Sequence, residues 1–200
     1  MKKIQNTKHL IIALVLSISF ISCTSNEDVE DMVDNPVNNL SKNTIANSDA
    51  SGDLNYYYFT NYNQGNGEIF EFTVYENTAN TDLGTYLRIM IKSLPTASTT
   101  FSHRQDGNFD LVAGEYFLNL VRIGGSGNDE WYVPFVNSRP SQELKVTVEN
   151  GVATFTVAQV ELSDNFINPI TATKKFDVSF SINVSELMIA NSGTQGNLVD

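Results

Sequence analysis

The stretch Leu144-Lys145-Val146-Thr147-Val148-Glu149-Asn150-Gly151-Val152-Ala153-Thr154-Phe155-Thr156-Val157 decides the fold. Asn150-Gly151 supplies the two positive φ values that a two-residue type I′ turn needs, so Glu149 and Val152 are expected to close a β-hairpin. Such a turn fixes register. Val148 then falls beside Ala153, Val146 beside Phe155 and Leu144 beside Val157 on one face, while Thr147 meets Thr154 and Lys145 meets Thr156 on the other. Apolar and polar residues thus separate under a pairing set by the turn alone. Further along, Val160 and Leu162 fall on the polar side, and a one-residue β-bulge near Ala158-Gln159 accounts for the change of parity.

The same two-residue period recurs on either side of this hairpin. In residues 68–76, Phe70, Phe72 and Val74 share a face. In residues 85–92, Thr85, Leu87, Ile89 and Ile91 face one way while Arg88 and Lys92 face the other. In residues 176–184, Phe176, Val178, Phe180, Ile182 and Val184 alternate with Asp177, Ser179, Ser181 and Asn183. Further strands are expected over 114–123 and 130–136, with turns at 64–67, 105–108 and 124–128 and no amphipathic helix between them. The pattern predicts an all-β fold, an antiparallel β-sandwich of roughly seven to nine strands occupying residues 54–200. A closed barrel suits the unequal strand lengths less well, as it does Pro134 and Pro140, which belong at edges or in irregular segments.

Composition narrows the function classes. With 12 Lys and Arg against 23 Asp and Glu, the net charge of -11 excludes a nucleic-acid binder that tracks phosphates, since such a protein needs a basic surface. One cysteine excludes an intrachain disulfide framework and leaves too few thiols for a structural zinc cluster.

Residues 1–22 carry the parts of an export signal: Lys2, Lys3 and Lys8, then an apolar run over 10–16, then a short polar approach to Cys23. The apolar part is too short for a transmembrane helix, which takes about 20 residues. Phe20-Ile21-Ser22-Cys23 resembles the lipobox of bacterial lipoprotein signals, in which the cysteine becomes the first residue after cleavage. Ser22 is the small residue the family places before the cysteine, while the position three before it, usually Leu, is Phe20 here. The resemblance implies a diacylglyceryl thioether on Cys23, and two or three acyl chains hold a protein on a membrane where one does not.

Residues 23–53 are expected to be a disordered acidic tether, because they hold no aromatic residue and too little apolar surface to offset their ordering entropy. As a flexible coil, a segment of this length spans on the order of 30 Å. Its acidic run, Glu27, Asp28, Glu30 and Asp31, resembles the surface-export signal of Bacteroidetes-type lipoproteins. That resemblance implies an outer-membrane lipid anchor with the domain at the cell surface; a periplasm-facing domain is the alternative.

Chemistry-bearing residues are sparse, and neither a cofactor nor a metal is expected. His103, flanked by Arg104 and Asp106, reads as a turn or surface histidine, and Gly124-Gly125-Ser126-Gly127 lacks the last glycine of a nucleophile elbow. Oxygen ligands gather at Asp106-Gly107-Asn108-Phe109-Asp110 and at Asn128-Asp129-Glu130 without EF-hand spacing, so these segments read as Asx-type turns. Aromatic residues carry the hint of binding. Tyr56, Tyr57, Tyr58, Phe59 and Tyr62 arrive in a burst and Trp131-Tyr132 follows a glycine-rich loop. Tyr57, Trp131 and Tyr132 are the candidate ligand-binding residues, since alternate residues of a strand face opposite sides and exposed rings can stack on sugars.

The expected function is a non-enzymatic binding or accessory module on a membrane-anchored lipoprotein, with a glycan or a protein as partner. A carbohydrate-binding module of a nutrient-uptake system is the first alternative. A small carboxylate-dependent hydrolase is the second, drawing on acids such as Glu71, Asp110, Glu115, Asp129 and Glu130.

Overall fold

A computed structural model describes residues 42–77, 84–104, 110–124, 130–132, 142–165 and 170–200, all within one compact unit, Pro36–Asp200. Cys23 and the export signal lie outside the described residues, as do the turn at 105–108, residues 125–128 of the turn expected over 124–128, residues 133–136 of the strand expected over 130–136, Pro134 and Pro140. The fold is all-β. Among the described residues twelve strands are present: β1 (Thr44–Ala46), β2 (Ser51–Asp53), β3 (Tyr56–Gln64), β4 (Gly67–Tyr75), β5 (Tyr86–Ile91), β6 (Thr99–His103), β7 (Glu115–Arg122), β8 (Glu130–Tyr132), β9 (Glu143–Glu149), β10 (Val152–Ser163), β11 (Thr173–Asn183) and β12 (Thr194–Asn197). A short helix, α1 (Val184–Ile189), follows β11 where Val184 was expected to continue the strand. The strands beyond the expected seven to nine include several of only three or four residues, too short to show a period in sequence.

The hairpin forms in the register its turn dictates. Asn150 and Gly151 have φ of 50° and 78°, and Phe155 faces Val146 while Thr154 faces Thr147. The bulge is present as well: Val157 pairs with Val178 and Val160 with Phe176, so β10 holds one more residue than β11 over that interval. Gln159 takes the left-handed φ of 52°, and its backbone N–H and side-chain amide both donate to the Asp177 carboxylate, at 2.8 and 2.7 Å. A buried carboxylate is thereby satisfied by the residue whose strain it compensates.

Strand order runs β12-β3-β4-β5-β7-β6-β9-β10-β11-β1-β2, with β8 bridging β7 and β10, so the ladder closes on itself through β7, β6, β9, β10 and β8. Neighbours are antiparallel except β6 and β7, which run parallel. The sheet folds over so that β4 faces β10, and Phe72 meets Phe155 with ring centroids 5.9 Å apart. Phe59 leans on Phe72 at 5.3 Å and Phe155 stacks on Phe180 at 4.7 Å, which makes an aromatic chain through the middle of the core.

The domain begins before residue 54. Residues 44–46 and 51–53, expected within the tether, form β1 and β2, and Ile45 is fully buried. The physical reason is non-local: β11 would otherwise be a sheet edge, and β1 covers it with Ile45 opposite Val178. Asn43, at φ 56°, locks the entry. Its amide donates to the Val199 carbonyl at 3.0 Å, its side-chain oxygen accepts from the Ser181 N–H at 2.8 Å, and its carbonyl accepts from the Leu54 N–H. Gly52 is required where it stands, because a Cβ there would come within 2.1 Å of the Thr85 hydroxyl.

Ile45→Ala is expected to cost about 2–5 kcal/mol, the range for emptying a core site of this size. Equilibrium urea denaturation measures it, and a loss below about 1 kcal/mol would show that β1 contributes little.

Candidate functional site

The first aromatic burst splits by strand parity. Tyr57 and Phe59 point into the core at 1% and 0% exposure, while Tyr56 and Tyr58 point outward and are half-buried. Tyr57 is therefore not part of a surface platform. Its hydroxyl donates to Glu186 of α1 at 2.8 Å, and its ring lies so close to Gly196 that a Cβ there would sit 2.5 Å from it. Burial and the neighbouring carboxylate both push this phenol well above the usual tyrosine range.

Trp131 and Tyr132 separate in the same way. Trp131 pairs with Val121 on the core side, 5.9 Å from the Phe176 ring, with the Lys174 ammonium 5.0 Å over its own ring. Tyr132 turns to the outer face. Of the three expected ligand-binding residues, then, the structure leaves Tyr132 on the face that carries Tyr56 and Tyr58.

That outer face is a second aromatic cluster, distinct from the core. Buried Tyr75, Tyr86 and Leu120 form its floor, with Tyr56, Tyr58 and Tyr132 packed against them. Register arranges these residues in two adjacent cross-strand rows. One reads Asn197, Tyr56, Tyr75, Tyr86, Arg122, Glu130 from β12 to β8; the other reads Gln195, Tyr58, Thr73, Arg88, Leu120, Tyr132. At about 4.8 Å per strand the rows are roughly 24 Å long.

Electrostatics at the β8 end are tightly tied. Glu130 accepts from the hydroxyls of both Tyr86 and Tyr132. These hydrogen bonds hold its carboxyl below the usual range, aided by Arg122 and Arg88. Conversely, burial foremost and then the Glu130 charge push the Tyr86 and Tyr132 phenols up to about 12. Arg122 lies 4.6 Å over the Tyr86 ring and donates from Nε to the Gly84 carbonyl at 3.0 Å. Arg88, by contrast, is exposed in mid-row, and among the described residues no carboxylate forms an ion pair with it.

The acids considered for hydrolysis are engaged separately. Glu115 pairs with Arg104 at 3.0 Å and accepts from the Val112 N–H, Glu71 accepts from the Tyr62 hydroxyl at 3.5 Å, and Glu130 belongs to the tyrosine face. Asp129 lies outside the described residues. Among the described residues no three His, Cys, Asp or Glu side chains gather to hold a metal ion, and no helix is long and apolar enough to cross a membrane.

His103 is not a surface turn residue. It ends β6, paired with Tyr116 of β7, its ring edge-on to Tyr116 at 4.9 Å and stacked on Phe117 at 6.0 Å. Its Nε2 and the Tyr116 hydroxyl are buried, with no hydrogen-bond partner among the described residues. Burial pushes the imidazole down to about 4 and the Tyr116 phenol far upward.

Sequence reasoning missed Tyr75, Tyr86 and Arg122, and named Glu130 only as a candidate acid or loop ligand, not as a partner of tyrosines. The local signal was present, since Tyr86 and Arg88 alternate with inward Leu87 and Ile89, but which strands stand side by side is not written locally. Compared with protein-family models, curated proteins and solved structures, the chain matches none.

Two outcomes follow from this geometry. Glu130→Ala, which strands two phenols, is expected to cost about 1–3 kcal/mol in urea denaturation; an unchanged midpoint would mean that the two hydrogen bonds contribute nothing net. Native His103 resists protonation, so between pH 6.5 and about 4 the unfolded state binds the extra proton and stability falls as pH falls. The full loss amounts to about 3 kcal/mol. His103→Phe should flatten the acid side of the stability profile by that amount, and an unaltered profile would show that His103 takes up its proton over the same pH range in the folded and unfolded chains.

Proposed function

We propose that this chain is a membrane-anchored lipoprotein of the small Bacteroidetes-type surface kind, lipidated on Cys23. Its β-domain serves as a non-enzymatic binding or accessory module at the cell surface. The observation that carries the binding role is the outer tyrosine face: two cross-strand rows with Tyr56, Tyr58 and Tyr132 at its rim and buried Tyr75 and Tyr86 beneath. A solvent-side sheet face ordinarily alternates to charged and small polar residues. Large amphipathic rings, held rigid by the strands beneath them, are instead what a recognition surface uses, because they offer contact area at little entropic cost.

Carbohydrate is the ligand class that this face favours, since exposed Gln195 and Asn197 stand opposite Tyr58 and Tyr56 on β12 and bring amide donors and acceptors beside the rings. The anchor reading rests on the lipobox resemblance at 20–23, and the surface location on the acidic run that follows it.

Metabolic labelling with palmitate should mark the wild-type chain and not Cys23→Ser. Protease added to intact cells should remove the domain; protection until the outer membrane is opened would move it to the periplasmic side. On a glycan array, the combined Tyr58→Ala and Tyr132→Ala variant should lose the binding that wild type shows. Binding that survives in this variant would remove the tyrosine face from the reading.

A further inference from the structure

We propose that the outer tyrosine face binds an acidic oligosaccharide, with sugar rings lying against Tyr58 and Tyr132 and a carboxylate or sulfate group paired with Arg88. The inference rests on the reading of this face as the binding surface and adds the charge of its ligand.

The argument begins with the row itself. Arg88 is flanked by Thr73 and Leu120, with Tyr58 two strands away on one side and Tyr132 two strands away on the other. At about 4.8 Å per strand, each ring stands roughly 10 Å from the guanidinium. An extended ligand about 20 Å long therefore meets ring, cation and ring in succession. Arg88 is exposed, and among the described residues it has no ion-pair partner, whereas Arg122 in the adjacent row already lies on Tyr86 and bonds the Gly84 carbonyl. A planar guanidinium presented in this way matches a carboxylate or sulfate through two parallel hydrogen bonds.

Charge complementarity points the same way. The whole chain carries -11, and this face sets Arg88 and Arg122 beside two carboxylates that phenols already engage, Glu130 by Tyr86 and Tyr132, and Glu71, in the row next to Arg88, by Tyr62. An exposed guanidinium whose neighbouring carboxylates are hydrogen-bonded to phenols is the cation this face presents to an anion, while the acidic remainder of the surface repels it elsewhere.

A sugar fits better than a peptide strand. Strands β4, β5 and β7 are interior to the sheet, so a peptide strand could add only at the β12 and β3 edge, beside the rows and not across Tyr58, Arg88 and Tyr132. It offers rings, hydroxyls and amides, the groups that suit a ring-shaped, hydroxyl-rich ligand.

The test is isothermal titration calorimetry on the full lipidated chain in detergent. The probes are oligogalacturonate, hyaluronan and chondroitin sulfate fragments, set against methyl-esterified oligogalacturonate, cellohexaose and maltohexaose. We expect at least one acidic probe to bind ten-fold or more tightly than every neutral one. Arg88→Gln, an exposed substitution that leaves the fold intact, should weaken that binding at least ten-fold, as should 0.5 M NaCl. Tyr58→Ala should weaken acidic and neutral probes alike. Neutral probes bound as tightly as acidic ones, with Arg88→Gln silent, would overturn the acidic ligand and leave the tyrosine-face reading standing. Acidic probes bound with Arg88→Gln and Tyr58→Ala both silent would overturn the site itself. No binding by any acidic probe would overturn the inference.

Discussion

Pleat parity is the constraint on which both the core and the outer face depend. Once Phe59, Phe72 and Phe155 are locked together in the middle of the core, β3 and β4 have no freedom over what they turn outward. Tyr57 and Phe59 go in, so Tyr56 and Tyr58 must come out; Leu87 and Ile89 go in, so Tyr86 and Arg88 must come out. A one-residue slip of β3 against β4 would bury Tyr58 and expose Phe59, exchanging the core for the site in a single step. The cost of that exchange is the rigidity of the face. The outward side chains stand on strands whose register is held from beneath, so the proposed binding face is ordered in advance of any ligand.

Two glycines and a bulge show how closely the layers are fitted. Gly196 lets the β12 backbone lie against the Tyr57 ring, and Gly52 lets β2 pass the Thr85 side chain. At Gln159 the left-handed residue shifts Val160 and Leu162 into the core, and Asp177 on the neighbouring strand accepts both of its donors. Without that extra residue the far half of β10 would turn its apolar side chains away from Phe176 and Val178.

What was legible in the sequence is what is encoded locally. Asn150-Gly151 specifies a turn through backbone sterics alone, and the register of β9 and β10 follows from it without knowledge of any other strand. The bulge was legible because parity breaks within one continuous strand. The strands β1, β6 and β12 were not, because each holds at most two buried residues and is defined by pairing with distant strands, β1 with β11, β6 with β9 and β7, and β12 with β3. A tether and a short edge strand look alike in composition; what distinguishes them is a partner more than a hundred residues away. The site divides in the same manner. Tyr132 could be picked out as an aromatic residue in a strand, with Glu130 two residues before it on the same face, but Tyr75, Tyr86 and Arg122 join them only when β4, β5, β7 and β8 are laid side by side.

The partition of aromatic types argues that the outer face is meant to meet water and ligand rather than to be covered by more protein. The core is lined by Phe59, Phe72, Phe155, Phe176 and Phe180, and the outer cluster by Tyr56, Tyr58, Tyr75, Tyr86 and Tyr132. Phenylalanine and tyrosine bury similar apolar area, so packing alone does not choose between them. The hydroxyl chooses, because it costs free energy in a dry interior unless it is bonded and costs little at a wet surface. Tyr57 and Tyr116 mark that rule from the inside: one reaches Glu186, and the other, beside His103, finds no hydrogen-bond partner among the described residues. On the outer face two phenols instead anchor Glu130, the opposite charge to the exposed Arg88 in the next row. A face built of hydroxylated rings, with Glu130 and Glu71 each engaged by phenols and Arg88 presented, has the chemistry that the proposed anionic, hydroxyl-rich ligand requires.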